Sequence, residues 1–219
     1  MSVMLFIALL FGVANAETLK VAVLDTGIAE SSKVKVCPKG KVSFVDDNPV
    51  DTHGHGTNIS WLINDGLENT DYCQVVIKVY KEGADVLGAS VQAFMMIDAD
   101  PAIKVVNISM AGLEHNTQEK LLIQKLLKKG VKIVTAVGNQ SKNLDSACIY
   151  YPACYNDEVI VVGNGVNEKA QDGSNYGSVV DSFIDGHAKG PEGHQMTGSS
   201  QSAAIYTNQL IKEMINDKR

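Results

Sequence analysis

Five short runs of β-branched residues dominate what this chain can become. They read LKVAVLD (19–25), QVVIKVY (74–80), IKVVNIS (103–109), VKIVTAV (131–137) and EVIVVG (158–163). Their apolar character is nearly continuous rather than alternating, which predicts strands buried on both faces. Helical stretches lie between them, the clearest being NTQEKLLIQKLLKKG (116–130). Asn116 is placed to cap it and Glu119 stands where a capping box puts a carboxylate. The last turn is basic, and Gly130 is the stop. Strands alternating with helices predict a three-layer α/β/α fold with a mostly parallel central sheet. The 219 residues suit one domain with a sizeable core, and no repeat or low-complexity linker divides them.

Residues 1–16, MSVMLFIALLFGVANA, are uncharged, and the apolar run Val3–Val13 is followed by Ala14-Asn15-Ala16. That pattern predicts a signal peptide cut before Glu17; the run is short for a membrane span. The alternative is a buried N-terminal segment. The expected organisation is thus a signal peptide, 1–16, and a single domain, 17–219. The first strand begins so near the cut that no pro-region is expected between them. Four cysteines, Cys37, Cys73, Cys148 and Cys154, lie beyond the cut. An even count in an exported chain predicts two disulfides out of three pairings, with Cys37–Cys73 and Cys148–Cys154 the local choice. There is no C-x-x-C, and no cysteine lies near a histidine in sequence, which argues against zinc. The net charge of -6 argues against nucleic acid or an anionic membrane as partner. A secreted or periplasmic location is expected, with no membrane association after signal cleavage.

In parallel sheets, sites gather at the carboxyl ends of the strands. There the chain has Asp25, the segment Ser109-Met110-Ala111-Gly112, and Asn139 in TAVGNQS. Near the C-terminus, Gly198-Ser199-Ser200 opens a helix lined by Ser202, Ala203 and Ala204. The stretch DTHGHGTNIS (51–60) adds His53 and His55. Singly, each has a plain structural reading: a serine caps a helix, an aspartate makes a turn. Together they run Asp…His…Ser, with an asparagine on a strand end between the last two. That is the order of one of the convergent nucleophilic triads.

The sequence resembles the subtilisin-like serine proteases, the subtilases, over roughly residues 19–207. VAVLDTGI is similar to the family's aspartate strand, HGHGTNIS to its histidine helix, VVNISMAG to its substrate-lining strand and TAVGN to its oxyanion segment. YPACYNDEVIVVG and GSNYG also match family patterns, and TGSSQSAA resembles the nucleophile helix. The resemblance implies a secreted serine endopeptidase with Asp25, His55 and Ser200 as triad and Asn139 in the oxyanion hole. Only His55 is followed by Gly-Thr, so it is the implied base and His53 a solvated loop residue. Ser199 stands beside Ser200 in the family's threonine position, and experiment must separate the two. Ser109, Met110 and Ala111 are implied to pair with the substrate backbone. Ala136, Val137 and Gly138 are implied to wall a primary pocket for apolar or aromatic side chains. Asn58 stands where many relatives have a second histidine, Ala111 where glycine is common, and Ala204 where proline is usual. Protein or peptide substrates and a monomeric state are expected. No cofactor is expected. Asp46, Asp47 and Asp51 form either a structural calcium site or an exposed acidic loop. The alternative function is a non-catalytic binding module on the same fold.

Overall fold

The computed structural model describes residues 18–171, 173–193 and 195–217. The expected signal peptide lies outside the described residues. The sheet is built outward from Leu19–Asp25 (β1), which pairs in parallel with two neighbours. Val36–Ser43 (β2) is followed by Tyr72–Lys78 (β3), Ile103–Ile108 (β4), Lys132–Ala136 (β5) and Ile160–Val166 (β6). Their spatial order is β2-β3-β1-β4-β5-β6, all parallel. Lys169–Ala170 (β7) pairs antiparallel with β6, and Ser182–Ile184 (β8) pairs parallel with it.

Among the described residues, four α-helices cover the two faces: His55–Asn64 (α1), Val86–Ala99 (α2), Thr117–Lys128 (α3) and Ser199–Asn216 (α4). The two-residue alternation of β1 divides the core between them. Ala22 and Leu24 pack with Phe94 and Ile97 of α2 and Ile123 of α3. Leu19, Val21 and Val23 pack with Ile59 and Ile63 of α1 and Ile211 of α4. Each such fully buried Leu, Ile, Val or Phe side chain contributes about 1.5–3 kcal/mol. The three-layer α/β/α arrangement expected from the strand and helix pattern is therefore present. Among the described residues no helix is long and apolar enough to cross a membrane.

Two elements differ from the sequence expectation. β2, VCPKGKVS, gives no apolar signal: it is an edge strand with an irregular register between Val36 and Lys41. An edge accommodates Pro38 because that backbone nitrogen needs no ladder partner. At the start of α3, Asn116 does accept from the Glu119 backbone N–H at 3.0 Å. The reciprocal half of the capping box is absent. The Glu119 side chain turns inward to Ser90 and Tyr155, and the Asn116 N–H goes to the Tyr155 hydroxyl at 2.9 Å.

The cysteines pair as Cys37–Cys73, which staples β2 to β3, and Cys148–Cys154. Their sequence separations are 36 and 6. Chain-entropy closure gives about 4 kcal/mol for the longer loop and about 2 for the shorter. Replacing Cys37 and Cys73 by serine should therefore lower Tm more than replacing Cys148 and Cys154; calorimetry of the two double variants checks the order.

Candidate active site

Asp25 ends β1 and is fully buried. Its Oδ1 accepts from the Thr26 N–H at 2.8 Å and pairs with His55 Nδ1 at 2.7 Å. His55 is the first residue of α1. It reaches Asp25 because the helix start lies flush on the turn after β1. A Cβ at Gly56 would sit 2.4 Å from the Gly27 carbonyl oxygen, so only glycine permits that approach. The Gly56 N–H donates to Thr26 Oγ1 at 2.8 Å, locking helix to turn.

Asp51 completes this junction. Its Oδ1 accepts from Thr26 Oγ1 and the backbone N–H groups of His53 and Gly54; its Oδ2 accepts from the N–H and hydroxyl of Thr57. This is an anchor for the N-terminus of α1, where a carboxylate also suits the helix dipole. The acidic-loop reading is thus corrected at Asp51. Nor does the donor set fit calcium: Asp51 has both oxygens filled, and Asp46 is paired with Lys78 at 3.0 Å and Lys81 at 3.1 Å. The Lys78 ammonium holds the Asp46 carboxyl far below its usual range. Lys78 also donates to the carbonyls of Asn48 and Val50, fixing the loop that leads into α1. Asp47 is exposed.

Burial lowers the pKa of His55, but the hydrogen bond to Asp25 and the charges of Asp25 and Asp51 outweigh it, so the net shift is upward. His53 is exposed, its ring edge-on to those of His55 and Tyr80 at 6.2 Å.

Ser200 sits in the first turn of α4, at the carboxyl end of the sheet. Its hydroxyl donates to the Ser109 carbonyl at 2.9 Å, and the Ser109 hydroxyl donates to the Ser200 carbonyl at 3.1 Å. Asn107, buried in β4, donates to Ser109 Oγ and accepts from Thr207 of α4. The β4 segment and α4 are therefore tied at two levels. Ser199 is different: fully buried, it accepts from the Gly138 N–H and donates to Asn139 Oδ1 at 3.0 Å. The Ser199 N–H donates to the same oxygen at 2.9 Å. With Oδ1 committed, Nδ2 is the donor that Asn139 has left.

Gly138 is in the left-handed region, φ 97°, and a Cβ there would meet Asn175 Nδ2 at 2.6 Å. Asn175 staples this loop, donating to the Val137 carbonyl and accepting from the N–H groups of Gln140 and Lys142. Its GSNYG motif was visible in the sequence, but its partners were not. Asn58, buried in α1, accepts from Gln201 of α4 at 3.1 Å.

A cleft of about 790 Å³ opens at Ser200 and Asn139. Ser109, Met110, Ala111, Ala136 and Gly138 line it. Val137 does not: its side chain belongs to the core, which corrects its place as a pocket wall. Gly112 exchanges backbone hydrogen bonds with Tyr151 and closes the far end of that segment.

The fold is that of the subtilisin-like proteases. A lanthipeptide protease superimposes with TM-score 0.72 at 20% identity over 88% of this chain and 72% of that one. A cold-adapted subtilisin-like serine proteinase gives 0.70 at 21% over 92% and 79%. The chain belongs to the Subtilase family, Peptidase_S8, whose sequence profile matches residues 16–212. It is 30% identical to subtilisin DY of Bacillus licheniformis over 155 residues, covering 66% of this chain and 55% of that protein. It is 28% identical to subtilisin E of Bacillus subtilis (strain 168) over 184 residues, covering 78% and 48%. The chain thus spans about half the length of these relatives.

Proposed function

We propose that this chain is a serine endopeptidase acting on proteins or peptides through Asp25, His55 and Ser200, with Asn139 as an oxyanion donor. The 2.7 Å contact between His55 Nδ1 and buried Asp25 carries the reading, supported by the place of Ser200 in a cleft lined by Ser109, Met110 and Ala111. A carboxylate on Nδ1 holds the proton there and leaves the Nε2 lone pair as base. A serine hydroxyl is a weak nucleophile until a base takes its proton. On substrate binding the Ser200 hydroxyl leaves the Ser109 carbonyl and gives its proton to His55 Nε2 as its oxygen attacks the scissile carbonyl. The negative oxygen of the tetrahedral intermediate is held by Asn139 Nδ2 and the Ser200 N–H at the start of α4. Imidazolium then protonates the leaving amine. Two disulfides support work in an oxidising compartment outside the cytosol. A fluorophosphonate probe is the direct test: it should label the wild type at Ser200, and failure to label points to a binding module on the same fold.

The base must be neutral to act, and its pKa is raised. The acid limb of kcat/KM should therefore have its midpoint above the ordinary histidine value of 6.5. Asp51→Asn removes one of the raising charges and should move that midpoint down. A pH–rate profile of both proteins checks it; an unchanged midpoint would remove Asp51 from the account.

A further inference from the structure

Among the described residues the His55 side chain makes one hydrogen bond, from Nδ1 to Asp25. The Ser200 hydroxyl rests on the Ser109 carbonyl, so the lone pair on His55 Nε2 is left without a partner. The side chain is 19% exposed, and a solute can reach it. His53 lies two residues earlier, exposed in the turn before α1. Its backbone N–H is tied to Asp51, while its ring makes no hydrogen bond among the described residues. The two imidazoles stand 6.2 Å apart between centroids, with their planes at 74°.

Two imidazoles at this spacing suit a divalent transition metal. Zn–N bonds of about 2.1 Å put the centroids of two rings on one ion about 5–6 Å apart. Rotation of the exposed His53 ring closes the small remainder. A histidine binds metal best when its other nitrogen donates to a carboxylate, which fixes the tautomer and makes the ligating nitrogen more basic. His55 has that arrangement through Asp25. The local charge also favours a cation. Asp25 is fully buried and its Oδ2 has no hydrogen-bond partner. Asp51 stands at the same helix start, and the charges of both carboxylates raise the pKa of His55. Proton and metal ion compete for the same lone pair, so the same field draws both. Lys33 is the one ammonium group lining the groove that carries His53, against these two carboxylates. All four cysteines are in disulfides, and among the described residues no group of three or more His, Cys, Asp or Glu converges. An ion held here has two protein ligands and fills its shell with water, which makes the site weak and reversible rather than structural.

We propose that His53 and His55 form an inhibitory site for a divalent transition metal ion such as Zn²⁺, bound through His55 Nε2 and the His53 ring. Two nitrogen–metal bonds replace two metal–water bonds; the imidazoles are neutral, so no proton leaves and no electron moves. The inhibitory effect rests on reading His55 as the base for Ser200. The ion occupies the lone pair that would accept the serine proton, and hydrolysis stops until the ion dissociates. His53 takes no part in the proton transfer and sets only the affinity for the ion. Mg²⁺ and Ca²⁺ are excluded, because they prefer oxygen ligands.

The test reads the ion with and without catalysis. Zinc chloride titrated into Ser200→Ala protein in a calorimeter should show binding, and adding His53→Ala should weaken it about tenfold or more. Magnesium chloride at the same concentrations should show none. In a peptide assay of the wild type, Zn²⁺ should inhibit and EDTA should restore the rate. His53→Ala should raise the Zn²⁺ concentration for half-inhibition by the same factor while leaving metal-free kcat/KM unchanged. No Zn²⁺ binding to Ser200→Ala protein, or binding that His53→Ala leaves intact, overturns the site; the second result means an adventitious ion only. The exposed His53 ring makes no hydrogen bond to lose, so the variant should fold, and circular dichroism checks it. Fluorophosphonate labelling of the wild type decides the peptidase reading separately. Labelling without His53-dependent Zn²⁺ binding sinks the metal site alone. His53-dependent binding without labelling keeps the metal site and removes its inhibitory effect.

Discussion

Ser200→Ala protein should lose peptide hydrolysis by about 10⁴–10⁶-fold in kcat and take up no fluorophosphonate, a magnitude known from subtilisins themselves. The reason is chemical: removing Oγ removes the atom that attacks the carbonyl, while Asp25 and His55 stay paired at 2.7 Å. The fold should survive, because the lost hydroxyl makes one hydrogen bond, to the Ser109 carbonyl. Near-UV circular dichroism alongside a peptide assay separates loss of chemistry from loss of structure. The companion variant Ser199→Ala should still be labelled. Its hydroxyl is buried and committed to Asn139, so it can position but cannot attack. Labelling of Ser200→Ala with loss in Ser199→Ala would reverse the assignment.

Asn139→Ala should lower kcat on the order of 10²–10³ with little change in KM, again the scale of an oxyanion donor in the subtilisin family. The donor is present before charge develops. Asn139 Oδ1 is held by the N–H and hydroxyl of Ser199, and Asn175 pins the preceding carbonyl of Val137. Steady-state kinetics on one peptide substrate resolve the effect, since a ground-state contact would appear in KM instead. Ser199→Ala should show a smaller loss of the same kind, because it frees one of the two bonds that orient the amide. An Asn139→Ala protein with unchanged kcat would remove the side chain from the oxyanion account.

The five apolar runs and the helix between the third and fourth were legible because strand and helix formation follow short-range patterning. Asp25, His55 and the Gly-Ser-Ser segment were legible for a related reason: each sits in a short local motif at the end of an element. The sequence by itself therefore determined the α/β/α architecture and the residues that can carry the chemistry. It did not determine β2, whose VCPKGKVS has no apolar alternation and becomes a strand through β3 and the Cys37–Cys73 bond. Asp51 could be any loop carboxylate until five donors converge on it. Glu119 fitted a capping box until the fold offered it Ser90, 29 residues away, and Tyr155, 36 away. Ser199 and Ser200 are adjacent and chemically identical. Only tertiary packing buried one hydroxyl against Asn139 and left the other in the cleft, beside a carbonyl 91 residues distant. A local pattern fixes the path of the backbone; the partner of a polar side chain depends on which distant elements the sheet order makes neighbours, and that is written in no short stretch of the chain.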